Sequence, residues 1–156
     1  RARGVRRHLG ARGLRAVRVG RDRVAMVVAA GYPLAARADR PLPVRDLLDQ
    51  PLLLREPGSG TRETFLSAAQ LGAGGQAMPA HIVELGSTAT IVATALAGGG
   101  IGVVSARAVA HEIAAGSLTE LRVAGVDLRR PLHAVWLKGR PAPLAGELIE
   151  IARRSS

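Results

Sequence analysis

Short unbroken apolar runs most constrain what this chain can fold into. "VAMVVAA" at 24–30 ends at Gly31, and "IGVVSA" at 101–106 follows three glycines. A continuous run of that length, closed by turn residues, reads as a strand buried in a sheet. "PLLLREP" at 51–57, "HIVELG" at 81–86, "LTELRV" at 118–123 and "PLHAVWLK" at 131–138 read as further strands. Helical spacing falls between them, at 44–50, 60–71, 87–100, 107–116 and 143–154. The inward faces expected are Phe65, Ala68 and Ala69; Ile91, Val92, Ala95 and Leu96; and Leu144, Leu148 and Ile151. Strands thus alternate with helices of about three turns. That pattern implies an α/β fold with mostly parallel strands and right-handed crossovers.

With 156 residues the chain is long enough for one ordinary domain or two small lobes. Aromatics are only 2%, so the core must be built from Leu, Val, Ile and Ala. The absence of cysteine excludes disulfides, a thiol nucleophile and Cys-based metal sites. No apolar run reaches the roughly 18 residues of a membrane span. The arginine-rich start lacks the apolar core of a secretory signal, so a cytoplasmic location is expected.

The net charge of +10 is unevenly distributed. Residues 1–23 hold nine Arg and one Asp, a net of +8, and residues 24–156 contribute only +2. Such a basic segment can hold phosphates without specificity. It carries no aromatics and no helix-turn-helix pattern. The twenty-one Arg against one Lys point to a composition bias, so a frayed or truncated segment is the expectation for 1–23.

Two strand-to-helix turns carry unusual chemistry. The first is Pro57-Gly58-Ser59-Gly60-Thr61-Arg62. A helix N-terminus leaves about four N–H groups unpaired and bears partial positive charge, so it can receive an oxyanion. Gly58 and Gly60 would let the backbone approach closely, and Ser59 and Thr61 would add hydroxyl donors. The same residues equally suit a tight turn and a helix cap. The second turn is Gly86-Ser87-Thr88-Ala89-Thr90, where capping by Ser87 is the simpler reading. Two such turns in one small α/β lobe raise the odds of a common anion. Ser105, at the carboxyl end of a strand, is a weaker candidate; the glycines at 98–100 suit a close-packed turn.

Other motifs fail. No Lys follows a glycine loop at Walker A spacing. Gly72, Gly74 and Ala77 follow a helix rather than a strand, which discounts a dinucleotide fingerprint. No Gly-x-Ser-x-Gly elbow exists, and the four His are not at metal-ligand spacing. No catalytic residues, metal or cofactor are expected.

The ordered segments resemble a family. "VAMVVAAGYPLAARADRPLPVRDLLDQPLLLREPGSGTRETF", then "ELGSTATIVATALAGGGIGVVSARAV", then "RRPLHAVWLKGRPAPLAGELIEIAR" are similar to the effector-binding (substrate-binding) domain of LysR-type transcriptional regulators over about residues 17–154. The resemblance implies a periplasmic-binding-protein type 2-like fold of two α/β lobes with an effector between them. It implies effector contacts at Ser59, Gly60 and Thr61, at Ser87 and Thr88, and along Ile101 to Ser105. It divides the chain into an Arg-rich segment at 1–23, a complete Rossmann-like lobe II at 53–124, and an incomplete lobe I at 24–52 and 125–156. The implied partners are a small anionic effector, a second copy or more in a homodimer or tetramer of the full-length regulator, and DNA only through a winged helix-turn-helix domain missing from this chain. No membrane contact is implied. A solute-binding protein for oxyanions is the runner-up reading, and a folded but non-sensing fragment is the third.

Overall fold

The computed structural model describes residues 13–72, 75, 78–137, 139 and 142–154. Residues 1–12 of the Arg-rich segment and Ala73, Gly74, Gln76 and Ala77 of the expected loop at 72–80 lie outside the described residues.

The elements run in the order β1 (Leu14–Ala29), a 3-10 turn (Pro33–Arg37), α1 (Arg45–Leu48), β2 (Leu52–Leu54), α2 (Gly60–Ala68) and β3 (Ile82–Glu84). There follow α3 (Thr88–Leu96), β4 (Ile101–Ser105), a second 3-10 turn (Ala106–Val109), α4 (Ala110–Ala114), β5 (Leu118–Leu121), β6 (Arg129–Leu137) and α5 (Pro143–Arg154). The strands form one sheet in the order β3-β2-β4-β1-β5, with β6 also pairing β1.

The continuous apolar runs do what their composition requires. Val24 to Val28 and Leu52 to Leu54 are at most 1% exposed. Their side chains divide by alternation between the two faces of the sheet. Val24, Met26, Val28, Leu52, Leu54, Ile101 and Val103 join Phe65 of α2 in one core cluster. Ala25, Val27, Leu53 and Val104 join Ile91 and Ala95 of α3 in the other. Both faces are therefore covered, which is why these strands show no polar alternation.

Three expectations need correction. The sheet is mixed: β2 runs parallel to β3 and β4, whereas β1 is antiparallel to both β4 and β5. A parallel neighbour needs a long crossover, usually a helix. The segment after β1 supplies only a 3-10 turn and the one-turn α1, so β–α alternation carried no information on the direction of β1. Second, residues 14–22 are not frayed; they form the first half of the sixteen-residue β1. Third, several face residues are open to solvent. Leu96, at the end of α3, is 40% exposed, and Leu144, Leu148 and Ile151 of α5 are 68%, 58% and 54% exposed.

The chain forms two compact units, Arg23–Leu128 and the described parts of Arg1–Asp22 with Arg129–Ser156. Residues 24–52 sit in the same unit as 53–124. Val24 to Val27 are hydrogen-bonded into the sheet beside β4, Leu42 bridges Val123, and Leu34, Leu42 and Leu47 fill the core of that unit. In the other unit, Asp22 is buried and receives a fork from Arg130, with Nε at 2.9 Å and Nη2 at 2.6 Å from Oδ2, which ties β1 to β6.

The glycines before β4 are a packing device. Gly100 has φ +141°, and a Cβ placed there would lie 2.4 Å from the Pro51 carbonyl oxygen. That oxygen accepts a hydrogen bond from the Ile101 N–H, so it cannot retreat without breaking the start of β4. Gly100→Ala is expected to lower stability by about 2–4 kcal/mol through strain and overlap. Gly31→Ala, where nothing lies within 4 Å, should stay near the parent value in the same chemical denaturation series.

Candidate functional site

The parallel pairing of β3, β2 and β4 brings three carboxyl ends to one edge of the sheet. Leu54 lies level with Glu84, and Leu53 with Gly102, so the chain leaves all three strands on the same side. Ser59 and Gly60 open α2 after β2, Ser87 and Thr88 open α3 after β3, and Ser105 ends β4. In open α/β sheets this edge is where ligands bind.

The two turns solve the capping problem differently. Ser87 is extended at φ −142°, ψ 151°, and its Oγ accepts the Thr90 N–H at 3.1 Å while pairing with the Thr90 hydroxyl at 2.8 Å. This is a side-chain N-cap. Ser59 occupies the same position on α2, but its hydroxyl makes no capping bond. Its carbonyl accepts the Glu63 N–H at 2.9 Å, so the helix starts on backbone geometry alone. Gly58, at φ +88°, makes the preceding turn, a conformation costly for any residue with a Cβ. The Ser59 hydroxyl is half-buried and remains available to a ligand.

Arg62 joins the turns. Its Nη1 donates to the Arg55 carbonyl at 3.0 Å and to Glu84 Oε2 at 3.0 Å. A cation in the first turn of a helix opposes the helix dipole, and the carboxylate at the end of β3 compensates it. Arg55 in turn forks Glu56, with both bonds at 2.7 Å. The hydrogen bond from Arg55 holds the Glu56 carboxyl below its ordinary range, so that pair persists under mild acid and is lost as pH falls through the lowered value. Sequence reading missed Arg62 and Glu84; the only local signal was a positive charge where a helix start favours a negative one.

The candidate residues are not equivalent. Ser59, Gly60, Thr61, Ser87 and Thr88 lie at the two helix starts on the common edge. Ser105 shares that edge, though its Oγ accepts the Arg107 N–H at 3.3 Å to start the following turn. Ile101 does not belong with them. It begins β4 at the opposite end from Ser105 and is fully buried in the core cluster that holds Phe65, so it has no surface to offer a ligand. Among the described residues no group of three or more His, Cys, Asp or Glu could hold a metal ion.

A doubly covered sheet with two helix starts at one edge is the arrangement in which open α/β folds hold small ligands. The chain belongs to the LysR substrate binding domain family, whose model matches residues 5–156. It is 38% identical over 133 residues to an HTH-type transcriptional regulator of Mycobacterium tuberculosis, covering 84% of this chain and 42% of that protein. It is 36% identical over 124 residues to the regulator CbbR of Xanthobacter flavus, covering 80% of this chain and 36% of that one. The chain thus spans about two fifths of the length of these relatives. Among solved structures it is similar to the Synechocystis CcmR regulatory domain in complex with 2-PG, with a TM-score of 0.73 at 21% identity over 94% of this chain and 68% of that one. Full-length OxyR from Pseudomonas aeruginosa gives a TM-score of 0.72 at 24% identity, covering 91% of this chain and 48% of that chain. The fold is accordingly the periplasmic-binding-protein type 2-like fold of LysR regulatory domains. Among the described residues no helix is long and apolar enough to cross a membrane.

The contrast in capping makes a direct test. Ser87→Ala should cost about 1 kcal/mol of stability through loss of the cap. Ser59→Ala, which removes no capping bond, should cost less than half as much, measured by urea denaturation of both variants beside the parent.

Proposed function

We propose that this chain is the effector-sensing domain of a LysR-type transcriptional regulator and that its effector is a small carboxylate or similar anion. The observation that carries the reading is the Ser59 hydroxyl, left out of capping at a helix start that shares its sheet edge with a second start. First-turn N–H groups at the starts of α2 and α3 would supply donors to an anion, with the Ser59, Thr61 and Thr88 hydroxyls beside them. Arg55 and Arg62 are each paired to a carboxylate, so recognition would rest on oriented N–H and O–H donors rather than on a bare cation. The CcmR regulatory domain, similar in fold, was solved with 2-PG.

In the full-length protein the domain would act in the cytoplasm, within a homodimer or tetramer, on DNA held by a separate winged helix-turn-helix domain. An oxyanion solute-binding protein would use the same helix-start chemistry. The relatives matched at 36–38% identity over 80–84% of this chain are HTH-type transcriptional regulators, against a phosphonates import ATP-binding protein of Anaeromyxobacter dehalogenans at 33% over 86%, and the higher identities favour sensing over transport.

Titration calorimetry against aliphatic carboxylates, aromatic carboxylates and 2-PG tests the reading. At least one anion should bind, and Ser59→Ala should weaken it roughly tenfold or more, the value of one hydrogen bond to a charged group. Absence of binding across the panel, or unchanged affinity in Ser59→Ala and Thr61→Ala, would contradict it.

A further inference from the structure

The two compact units differ sharply in charge. Arg23–Leu128 holds eight Arg against nine acids, a net of −1. Arg1–Asp22 with Arg129–Ser156 holds fourteen Arg and Lys against three acids, a net of +11. The preference for Arg over Lys runs through the whole chain, which has one Lys, so it does not account for the difference. The difference lies in the scarcity of acids in the second unit.

Part of that charge is arranged on described residues. Arg15, Arg18 and Arg21 are exposed along β1. At about 3.3 Å per residue Arg15 and Arg21 stand about 20 Å apart on one side of the strand, with Arg18 on the other. Arg153, in the last turn of α5, joins Arg18, Val19, Gly20 and Arg21 in lining one open groove. Guanidinium groups from the two ends of the sequence thus converge. Of the acids of this unit, Asp22 is buried against Arg130, and Glu150 meets Arg153 at 3.0 Å on the surface of α5.

We infer that this basic face is a contact surface for the phosphate backbone of a nucleic-acid duplex, independent of base sequence. A duplex carries one negative charge per about 1.7 Å of axis over its two strands, a density that lets several closely placed guanidinium groups each meet a phosphate. Guanidinium forks match phosphate oxygens in geometry as well as charge. Among the described residues the groove is lined by no aromatic side chain on which unpaired bases could stack, which favours a duplex over a single strand. The chain contains no Asn, and the groove offers no Gln, the residues that read adenine edges. An anionic membrane is disfavoured by Glu147 and Glu150 on the polar side of α5, where a surface-bound helix needs cations. This surface lies in the other unit from the two helix starts, and its test is independent of theirs.

Fluorescence anisotropy of a labelled duplex of arbitrary sequence, titrated with the full chain between 50 and 200 mM NaCl, measures the contact. Log affinity should fall linearly with log salt, with a slope of about −0.9 per phosphate engaged. Arg18→Ala/Arg21→Ala/Arg153→Ala should flatten the slope by about 2.7 and weaken binding tenfold or more. The corresponding triple Lys variant, which keeps the charge, should retain most of the slope. Arg40→Ala/Arg45→Ala/Arg107→Ala, in the near-neutral unit, should leave it unchanged. Circular dichroism confirms that each variant is folded, and the slope of the parent chain stands apart from any variant. The inference is overturned if the parent chain does not bind at 50 mM NaCl, if both triple Ala variants lose affinity alike, or if vesicles containing phosphatidylserine bind in preference to the duplex.

Discussion

The unit Arg23–Leu128 depends on β2 being sealed from both sides. Leu52, Leu53 and Leu54 are fully buried, with β3 and β4 hydrogen-bonded on either edge. The α2 side is closed by Phe65 and the α3 side by Ile91 and Ala95. Burying three leucines in this way contributes several kcal/mol before entropy is counted, roughly 2 kcal/mol for each side chain. It also imposes geometry. Gly100 must lack a side chain because Pro51 comes too close for one, and a Cβ at Gly102 would press on Ile91 and Ala95 of α3 at 3.1 and 3.2 Å. Parallel pairing around so short a strand then forces the exits of β2, β3 and β4 to one edge.

Chemistry follows from that edge. Two helices begin there with different caps. At Ser87 the hydroxyl is consumed by the helix it starts. At Ser59 the helix starts without it. The Arg62–Glu84 ion pair spans from the first turn of α2 to the end of β3 and holds the two starts in register. It pairs the Arg62 guanidinium, so in the proposed reading a ligand at this edge is met by oriented donors rather than by net charge.

Much of this was legible in the sequence, and for definite reasons. The apolar runs at 24–29, 52–54 and 101–104 lie in strands, as their short length, flanking Gly and Pro and β-branched content suggest. Ser59 and Ser87 occupy N-cap positions, as a hydroxyl after a strand and before a helical pattern suggests. The direction of β1 was not legible, because no long crossover follows it. The first half of β1 was hidden by arginines, although Val17 and Val19 alternate with them. Ile101 looked like a cleft residue only while the depth of β4 was unknown. Arg62 and Glu84 lie twenty-two residues apart, and only the register of β2 with β3 brings them together. The amphipathic spacing of α5 was plain, but spacing alone does not say whether the apolar face is covered, and Leu144, Leu148 and Ile151 are exposed.

The central claim is that the starts of α2 and α3 act together on one anion. Backbone amide chemical shifts during titration with a bound carboxylate measure this most directly. The account predicts that Gly60 and Thr61 move together with Thr88 and Ala89, along a single binding curve with one Kd. Shifts confined to one helix start, or two starts titrating with separate affinities, would contradict it.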